Sequence, residues 1–469
     1  MRRCLVVLSS LACAAAGAQT AVTIEVDAAQ PQSALRDLRG VNKPPRFGSR
    51  TPGVNYDATA LYKAFGITQA RLHDGGADLC SVYKAATKLN MSTSPATTVT
   101  GCTLTGSGGI PQFRWTPTSS ADADLNNPDN YDFATLDESI TTTLAAGGRV
   151  YLVLDQSYNG PNDTGDPVAW AKVATNIYKH VIGVFKPSAG VAVDPVYVEV
   201  MNEPDGGFWR GDLATFNTLY IETTQRVRAA AAAAGRTVKV GGAGFTRDVL
   251  NKATTAGNPA NGFVGNVGAG NLDFFSAHWY DKCNAATMPA SAAYLRSLRA
   301  LVNSQGGGGK PMQITEWNVG LGNQCGNDFF AGQRTQSFAG GLLTLMQDPA
   351  QAIEAAHFYA GVTVMSLFDY STAEGYARVN PSAWAFWAHA KLAGATGVSA
   401  QVCAQGSACV AGYAADGAPL LALAGSAGAS GKLTTVITND GISAASYTLK
   451  FKGLAGSTAF LLVYFVWMR

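Results

Sequence analysis

The sequence is poor in charge and has almost no excess of either sign. Asp, Glu, Lys and Arg make up 14% of its 469 residues, and the formal net charge is +2. Such a chain lacks the electrostatic footprint for nucleic acid or an anionic membrane, so we expect neither as a partner. No apolar run approaches the ~20 residues of a membrane span. With 47% hydrophobic residues, the composition instead predicts a compact globular protein.

Motifs for resident metals and nucleotide cofactors are also missing. No cysteine pair has the C-x-x-C spacing of a zinc site, and no H-E-x-x-H occurs. The first predicted strand is followed by Gly40-Val-Asn-Lys-Pro-Pro-Arg46, which is not the Gly-rich phosphate turn of a doubly wound sheet. We therefore predict no cofactor and no metal. The alternative is a zinc-dependent barrel hydrolase, with ligands drawn from His73, Asp74, Asp155 and His278.

The first residues are typical of a secretory signal peptide. Met1-Arg-Arg3 gives a basic start, a short apolar stretch follows, and Ala16-Gly-Ala18 supplies the small residues of a cleavage site. A buried N-terminal helix is the competing interpretation. Cleavage after Ala18 removes Arg2 and Arg3 and takes the formal charge from +2 to 0. We expect a secreted or periplasmic protein.

The cysteines fit an exported protein. Once Cys4 and Cys13 leave with the signal, six of the eight cysteines remain, and an even number in an exported chain suggests disulfides. Proximity along the sequence favours the pairs Cys80–Cys102, Cys283–Cys325 and Cys403–Cys409.

Short apolar segments alternate with helical segments over most of the chain, which predicts parallel strands with crossover helices. Eight such strands match a (β/α)₈ TIM barrel with long loops, an α/β fold. The predicted strands are Leu38–Val41, Ile67–Leu72, Val150–Leu154, Val196–Met201, Val238–Gly242, Leu272–Ala277, Met312–Thr315 and Ala355–Phe358. The predicted helices are Ala58–Phe65, Phe133–Ala146, Pro167–Phe185, Leu213–Ala234, Ser291–Gln305, Gly332–Gln347 and Ser382–Leu392.

The pattern changes after about Gly394, where period-2 segments separated by small residues predict a C-terminal antiparallel β-sandwich. This domain would bind carbohydrate or support the barrel. We predict a signal peptide over 1–18, a strand joining the sandwich within 19–35, the barrel over 36–393 and the sandwich over 394–469. The stretch from Gly75 to Asn130 lacks periodicity, and we expect a disulfide-stapled, aromatic-bearing loop over the active face.

Two glutamates directly follow apolar runs that read as buried strands. Glu203 ends VYVEVMNE and Glu316 ends PMQITE. Packing explains such carboxylates poorly, whereas the carboxyl ends of barrel strands are where catalytic groups lie. Cleavage of a glycosidic bond needs one carboxylic acid to protonate the departing oxygen and a second carboxylate to stabilise or attack the sugar. Carboxyl groups roughly 5 Å apart would give retention of configuration, and a wider gap would give inversion.

Other polar residues cluster at predicted strand ends. Arg71 and His73 end the second strand, and His278 with Tyr280 ends the sixth. A positive charge favours a nearby carboxylate, so Arg71 is expected to keep Glu316 ionised, with Tyr280 donating a hydrogen bond to it.

These segments resemble the retaining (β/α)₈ glycoside hydrolases. Asn202-Glu203-Pro204 after the fourth strand and a glutamate after the seventh are typical of the clan. The segments RLHD at Arg71–Asp74, NYDF at Asn130–Phe133, AHWY at Ala277–Tyr280 and ITEWN at Ile314–Asn318 are similar to family 39. That family includes β-xylosidases and α-L-iduronidases.

The resemblance implies roles for individual residues. Glu203 would be the general acid/base, Glu316 the nucleophile, and Tyr280 the group that orients it. Asn202 would bind the sugar 2-hydroxyl, and His73 a ring hydroxyl. The expected substrate-binding residues are Asn202, His73, His278, Tyr280, Trp317 and Arg71.

The chain is thus predicted to be a secreted retaining glycoside hydrolase that acts on O-glycosidic bonds of plant or microbial carbohydrate by double displacement. A β-xylosidase-like exo-glycosidase is the preferred activity. Asp74 stands where the family's β-xylosidases usually carry glycine, so the sugar stays open. The alternatives are an endo-acting glycosidase on a polysaccharide and a catalytically silent carbohydrate-binding barrel.

Overall fold

The structure is a computed structural model that describes most of the chain. The described residues are 22–46, 57–73, 79–90, 95, 97–99, 113–156, 162–281, 283, 288–321, 325, 333–363, 365–371, 376–404, 406–418, 420–427, 432–439 and 447–454. The predicted signal peptide, Asp74 and the Cys80–Cys102 pairing lie outside the part that the structure describes.

The described chain contains a closed barrel of eight strands. Each strand pairs in parallel with the next along the sequence, and the eighth closes on the first. This confirms the predicted TIM barrel. The strands, numbered here from first to eighth barrel strand, are Gly40–Asn42, Gln69–Leu72, Arg149–Leu154, Tyr197–Val200, Val240–Phe245, Phe275–Tyr280, Met312–Asn318 and Ile353–Phe358.

Helices connect the strands where the apolar periodicity predicted them. The α-helices among the described residues are Thr59–Phe65, Leu79–Val82, Asp122–Leu125, Ala134–Ala145, Pro167–Val181, Leu213–Ala233, Val249–Lys252, Phe263–Val267, Met288–Ser304, Gln333–Leu345 and Pro381–Ala390. Single turns of other helix types are Pro128–Asn130, Pro204–Phe208, Ala269–Asn271, Pro349–Gln351 and Gly412–Ala414. None of the described helices has both the length and the apolar character that crossing a bilayer would demand.

Local sequence explains where the long helices that follow strands three and four begin. Asp166 accepts a hydrogen bond from the backbone N–H of Ala169 at 2.8 Å, and Pro167 occupies the first helical position. Asp212 accepts in the same way from Thr215 at 2.7 Å. These caps satisfy backbone donors that a helix start leaves without partners. They fix the helix starts, and so the ends of the loops leading from the active face.

The interior of the barrel changes character along its axis. Near the amino ends of the strands, Tyr151, Tyr197 and Phe274 pack as an aromatic layer. Nearer the carboxyl ends, the buried interior side chains include Arg71 and Glu199. The aromatic layer therefore separates the buried charged residues from solvent at the amino ends of the strands.

The stretch after the second strand is more ordered than expected. Instead of a loop without regular structure, it contributes three strands to a small four-stranded sheet. The sheet consists of Ala86–Asn90, Thr97–Val99, Phe113–Pro117 and Asp163–Thr164. The strands are short and three of them are joined through long polar connections, so single-sequence periodicity did not reveal them. The described residues also include a hairpin, Phe368–Ser371 with Tyr376–Val379, after the eighth strand.

A second sheet lies beside the barrel, as the predicted C-terminal β domain requires. Its six described strands are Val22–Ala34, Thr396–Ala404, Val410–Ala411, Leu420–Ala427, Lys432–Asn439 and Tyr447–Lys452. Val22–Ala34 runs antiparallel to Thr396–Ala404 and parallel to Tyr447–Lys452. The described strands thus form one mixed sheet, in which an N-terminal strand is central. Cys403 and Cys409 form a disulfide in this domain, as predicted.

Candidate active site

The carboxyl ends of strands two, four, six and seven bring six of the expected site residues together. Hydrogen bonds or ion pairs join Arg71, Asn202, Glu203, His278, Tyr280 and Glu316. Parallel strands in a closed barrel end on the same face, so residues far apart in sequence meet there.

The backbone at Glu203 is unusual. Its φ is 44° and its ψ is 47°, the left-handed region that non-glycine residues rarely adopt. The N–H of Glu203 donates to the carbonyl of Gly244 at 2.9 Å, and the N–H of Gly206 donates to the Glu203 carbonyl at 2.8 Å. Pro204 follows directly and begins a turn over Pro204–Phe208. The chain therefore reverses sharply at the end of strand four and projects the Glu203 side chain across the barrel mouth.

Arg71 is the hub beneath the site. Its side chain is fully buried (0% exposed). Nε donates to Oε2 of Glu199 at 2.6 Å, and Nη1 donates to Oε1 of Glu316 at 2.8 Å. Nη1 also donates to Oδ1 of Asn42 at 2.8 Å, and Nη2 donates to Oδ1 of Asn202 at 2.7 Å. One guanidinium thus fixes two carboxylates and two amides.

Charge balance at Arg71 favours the ionised forms. Burial by itself would lower the pKa of Arg71, but Glu199 and Glu316 outweigh that effect and raise the pKa above its usual range. A permanently charged guanidinium supports a carboxylate at each neighbouring glutamate. Arg71 is fully buried, and it contacts Glu316 and Asn202 at the barrel mouth through its guanidinium.

Glu316 is held as a hydrogen-bond acceptor on both oxygens. Oε1 accepts from Arg71, and Oε2 accepts from the hydroxyl of Tyr280 at 2.5 Å. Burial, and then the charge of Glu316, raise the pKa of Tyr280 well above its usual value, so the phenol keeps its proton and donates. A carboxylate whose two oxygens accept from a cation and a phenol is held in one orientation, as a nucleophile requires.

Glu203 occupies a different environment. Its Oε1 lies 2.8 Å from Nδ1 of His278, and its side chain is 24% exposed toward the cleft. Burial raises the pKa of Glu203 to about 7, although the charges of His73, Arg71 and Lys252 oppose the shift. Burial likewise lowers the pKa of His278 to about 4, so the imidazole is neutral. A carboxyl group that holds its proton near neutral pH is suited to general acid catalysis.

The two carboxyl groups are close. An oxygen of Glu203, an oxygen of Glu316 and a ring nitrogen of His278 all lie within 4.8 Å of one another. Retaining glycosidases place their carboxyl groups about 5 Å apart, whereas inverting enzymes leave a wider gap for water. The spacing therefore fits direct attack on the sugar by one carboxylate.

The same three donors could hold a metal ion, since they are the group of His, Cys, Asp and Glu side chains in the described chain with suitable spacing. Arg71 already binds one of the two glutamates, which opposes the entry of a second cation. Of the zinc ligands weighed from the sequence, His73 pairs with Asp155, whereas His278 pairs with Glu203. The structure thus divides that candidate set between two clusters.

Asn202 and His73 lie at the edge of this network. Asn202 is buried and directs its Oδ1 to Arg71. Nδ1 of His73 lies 2.7 Å from Oδ2 of Asp155, and the ring of Phe208 lies 6.0 Å from the histidine ring between centroids. Asp155 thus orients the histidine from the third strand.

Trp317 is the expected site residue that the structure removes from the cleft. It is fully buried (0% exposed), and its ring packs on Phe358 and Phe386 at centroid distances of 5.0 and 6.0 Å. Successive residues of a strand point to opposite faces, so Glu316 inside the barrel places Trp317 outside it. The expectation that Trp317 contacts substrate is therefore wrong, because its ring belongs to the core between strands and helices.

Several residues of the site escaped the sequence reasoning. Asn42 accepts from Arg71 and also donates its Nδ2 to the carbonyl of Thr315 at 2.9 Å. Thr315 donates its hydroxyl to Oε1 of Glu199 at 2.9 Å. Asn42 is a polar residue at the end of the first barrel strand, and that position could have indicated its place in the site. Glu199, on the fourth strand, also belongs to this network because its side chain accepts a hydrogen bond from Arg71.

A disulfide links two of the loops that leave the site. Cys283 follows the sixth strand and Cys325 follows the seventh, and they are bonded as predicted. The N–H of Asp281 donates to the carbonyl of Asn318, and that of Cys283 to Val319, at 3.2 and 3.0 Å. Pairing therefore continues beyond the barrel between the segments that carry Tyr280 and Glu316.

The fold and this cluster define a (β/α)₈ barrel with an unlike pair of carboxyl groups at the carboxyl ends of strands four and seven. No protein-family model matches the sequence, and no curated protein matches it either.

Solved structures of glycoside hydrolases are similar in fold. A glucosidase from Croceicoccus marinus superposes with a TM-score of 0.63 and 20% identity, covering 89% of this chain and 78% of the other. An α-L-arabinofuranosidase from Thermotoga maritima gives a TM-score of 0.61 and 14% identity, with coverage of 92% and 88%. A family 39 β-xylosidase from Caulobacter crescentus gives 0.53 and 15%, with coverage of 92% and 84%. The chain thus has the fold of (β/α)₈ glycoside hydrolases, including family 39.

Proposed function

We propose that the protein is a retaining glycoside hydrolase, with Glu316 as nucleophile and Glu203 as general acid/base. The observation that carries the proposal is the pair itself. Oxygens of the two glutamates lie within 4.8 Å, yet Glu316 accepts from Arg71 and Tyr280 while burial raises the pKa of Glu203 to about 7. Two neighbouring carboxyl groups in such different environments are suited to the two roles of double displacement.

In the first step, an oxygen of Glu316 attacks the anomeric carbon as Glu203 gives its proton to the departing glycosidic oxygen. The C–O bond to the leaving group breaks, and a glycosyl ester of Glu316 forms. The hydroxyl of Tyr280 and the guanidinium of Arg71 hold the attacking carboxylate in place before the reaction.

In the second step, Glu203 accepts a proton from water, and the water oxygen attacks the anomeric carbon of the ester. The ester bond breaks, Glu316 returns as a carboxylate, and Glu203 is again protonated. The partial exposure of the Glu203 side chain supports this step, because water must reach it once the leaving group has gone.

For the substrate, we propose the O-glycosidic bond of a plant or microbial carbohydrate, cleaved by a secreted, family 39-like, β-xylosidase-like exo-enzyme. The similar structures support glycosides in general, since they are a glucosidase, an arabinofuranosidase and a β-xylosidase. The two disulfides of the described chain support an oxidising compartment. Endo-action on a polysaccharide is the alternative mode, and a panel of p-nitrophenyl glycosides and polysaccharides separates the two.

The roles are tested by Glu203→Ala and Glu316→Ala with azide. Each variant should lose turnover of unactivated glycosides, by roughly the 10²-fold or more that a general acid contributes. On a dinitrophenyl glycoside, azide should rescue Glu203→Ala as a glycosyl azide of the substrate's configuration. Azide that takes the place of Glu316 should instead give the opposite configuration. Full activity in either variant, or the same azide product from both, contradicts the assignment.

A silent carbohydrate-binding barrel is the rival class. It predicts calorimetric binding of oligosaccharides by the wild type with no product from any substrate of the panel. Turnover that disappears in both glutamate variants excludes it.

A further inference from the structure

The turn that carries Glu203 is fastened to the end of the fifth strand by contacts that the proposed chemistry does not use. Asp205 is the second residue of this turn and is 6% exposed. Its Oδ1 accepts from the backbone N–H of Thr246 at 2.8 Å, and its Oδ2 accepts from the Thr246 hydroxyl at 2.6 Å. Both carboxylate oxygens of Asp205 thus bind one residue, directly after strand five.

We call the pair of hydrogen bonds between Asp205 and Thr246 the clasp. Further contacts hold the same turn. Lys252 donates its ammonium to the backbone carbonyl of Asp205. A Cβ at Gly206 would lie 2.5 Å from Cγ2 of Thr246, so the turn and the threonine approach more closely than any side chain allows. The geometry leaves the turn little room to shift along the strand.

Glu203 needs such support because its own backbone is left-handed. That conformation costs an L-residue roughly 1–2 kcal/mol relative to the right-handed region. Its backbone N–H donates to the carbonyl of Gly244 on strand five, two residues before Thr246. The side chain must still meet His278 on strand six and stay within 4.8 Å of Glu316. The clasp connects the turn to the strand that lies between strands four and six.

We propose that Asp205 is a positioning residue for the general acid/base, acting through Thr246 to hold the Pro204–Phe208 turn and so the Glu203 carboxyl in its catalytic place. The inference rests on the proposed function, since it assumes that Glu203 protonates the leaving group. A displaced acid slows only the steps in which a proton moves. Loss of the clasp therefore affects glycosides with poor leaving groups more than glycosides whose leaving group departs without a proton.

The test compares the phenyl and 2,4-dinitrophenyl glycosides of whichever sugar the wild type hydrolyses. Asp205→Asn keeps the shape but replaces one acceptor oxygen by an amide that cannot accept from Thr246. We expect kcat/KM to fall about 10- to 100-fold on the phenyl glycoside and less than about 3-fold on the dinitrophenyl glycoside. Thr246→Val, which keeps the N–H and loses the hydroxyl, should give the same pattern with smaller amplitude. Thr246→Ser keeps both donors and should behave as the wild type.

Asp248→Asn is the matched control for charge. Asp248 lies in the same loop with a side chain 56% exposed, and its charge, like burial, raises the pKa of Glu203. The control removes a carboxylate near the acid/base and leaves the clasp intact. It should shift the basic limb of the pH profile slightly toward lower pH and leave the ratio between the two substrates unchanged.

The outcomes separate the inference from the proposed function. An equal loss on both substrates in Asp205→Asn, or no loss, overturns the positioning role. If Asp205→Asn does not fold, as judged by circular dichroism, Thr246→Val decides, and a wild-type ratio in that variant overturns the inference. If Glu203→Ala itself has no dependence on the leaving group, the proposed function fails first, whatever the clasp variants do.

Discussion

At the scale of single residues, the site turns two chemically identical side chains into different groups. Glu316 has a guanidinium and a phenol as donors, whereas Glu203 faces a neutral imidazole. Both glutamates lie at the barrel mouth, so the difference between them comes from their hydrogen-bond partners and not from burial alone. The hypothesis of an acid/base and a nucleophile follows from those partners.

The raised pKa of Glu203 links the site to stability. The folded protein holds this proton up to about pH 7, whereas a free glutamate has a pKa of 4.5. The folded state therefore loses stability as pH rises from 4.5 to 7, because the unfolded chain releases this proton in that range while the folded protein still holds it. The shift from 4.5 to about 7 corresponds to roughly 3 kcal/mol.

We predict that Glu203→Gln, which cannot ionise, gains melting temperature over the wild type as pH rises from 4.5 to 8. The gain should correspond to roughly 2–3 kcal/mol at pH 8, measured by thermal unfolding across that range. Glu316→Gln is the comparison and should lack the gain, because the glutamine loses the ion pair with Arg71. If the difference in stability between Glu203→Gln and the wild type does not change with pH, burial does not raise the pKa of Glu203.

Arg71 gives a second prediction at this scale. Arg71→Met leaves Glu199 buried with an uncompensated charge, and breaking a buried pair in this way costs roughly 3–5 kcal/mol. Adding Glu199→Gln removes that charge and should restore part of the loss. Urea unfolding of the two variants and of Glu199→Gln alone measures the coupling. A double variant less stable than Arg71→Met would mean that the pair is not the source of the cost.

At the scale of elements, the fifth strand, VGGAGF, lacks side chains at its glycines. Gly244 has a φ of 55°, and a Cβ there would lie 3.2 to 3.3 Å from Glu199, Arg71 and His278. The missing side chain lets the polar cluster close over this strand. The glycine also has a carbonyl that receives the N–H of Glu203, so one residue serves both the charged layer and the turn.

We predict that Gly244→Ala destabilises the protein more than the matched variant Gly257→Ala. Gly257 also has a positive φ, of 77°, but a Cβ there would meet nothing within 4 Å. Gly257→Ala should cost only the backbone term, roughly 1–2 kcal/mol, with activity retained. Gly244→Ala adds crowding against three site side chains and should also lower kcat. Equal losses in stability and activity would show that the contacts at Gly244 are not limiting.

At the scale of the whole molecule, distant parts of the chain meet in the β domain. Val22–Ala34 lies between Thr396–Ala404 and Tyr447–Lys452, and its side chains Ile24 and Val26 are fully buried in the domain core. Removing a central strand exposes two rows of backbone donors and acceptors and opens that core. The early strand is therefore part of a domain whose other strands come more than 350 residues later.

We predict that a chain starting at residue 19 folds, whereas one starting at residue 35 is insoluble or binds a hydrophobic dye such as ANS. Soluble yield, near-UV circular dichroism and dye fluorescence measure the difference. A soluble, dye-negative and active chain from residue 35 would mean that the strand is dispensable. The predicted boundaries at 18, 35 and 393 stay predictions until such truncations are made.

Local sequence patterns mark some elements of this fold and leave others without a signal. The eight barrel strands could be predicted because each is a short apolar run followed by a polar strand end. The small sheet from Ala86 to Thr164 could not, because its last strand begins 46 residues beyond Pro117 and long-range pairing leaves little local pattern. Trp317 was misassigned because its neighbour Glu316 is catalytic in the hypothesis, and strand alternation sends the two to opposite faces.

The sequence by itself determined the barrel, the β domain beside it, the pairings of Cys283 with Cys325 and Cys403 with Cys409, and the two glutamates on strands four and seven. Periodicity and strand-end polarity are local properties, so they can be read without contacts. Only the tertiary structure decided which groups surround each glutamate. Asn42, Glu199 and Arg71 come from strands one, four and two, and closure of the barrel brings them beneath Glu316. Charge, burial and distance act between strands, and they set the difference between Glu203 and Glu316.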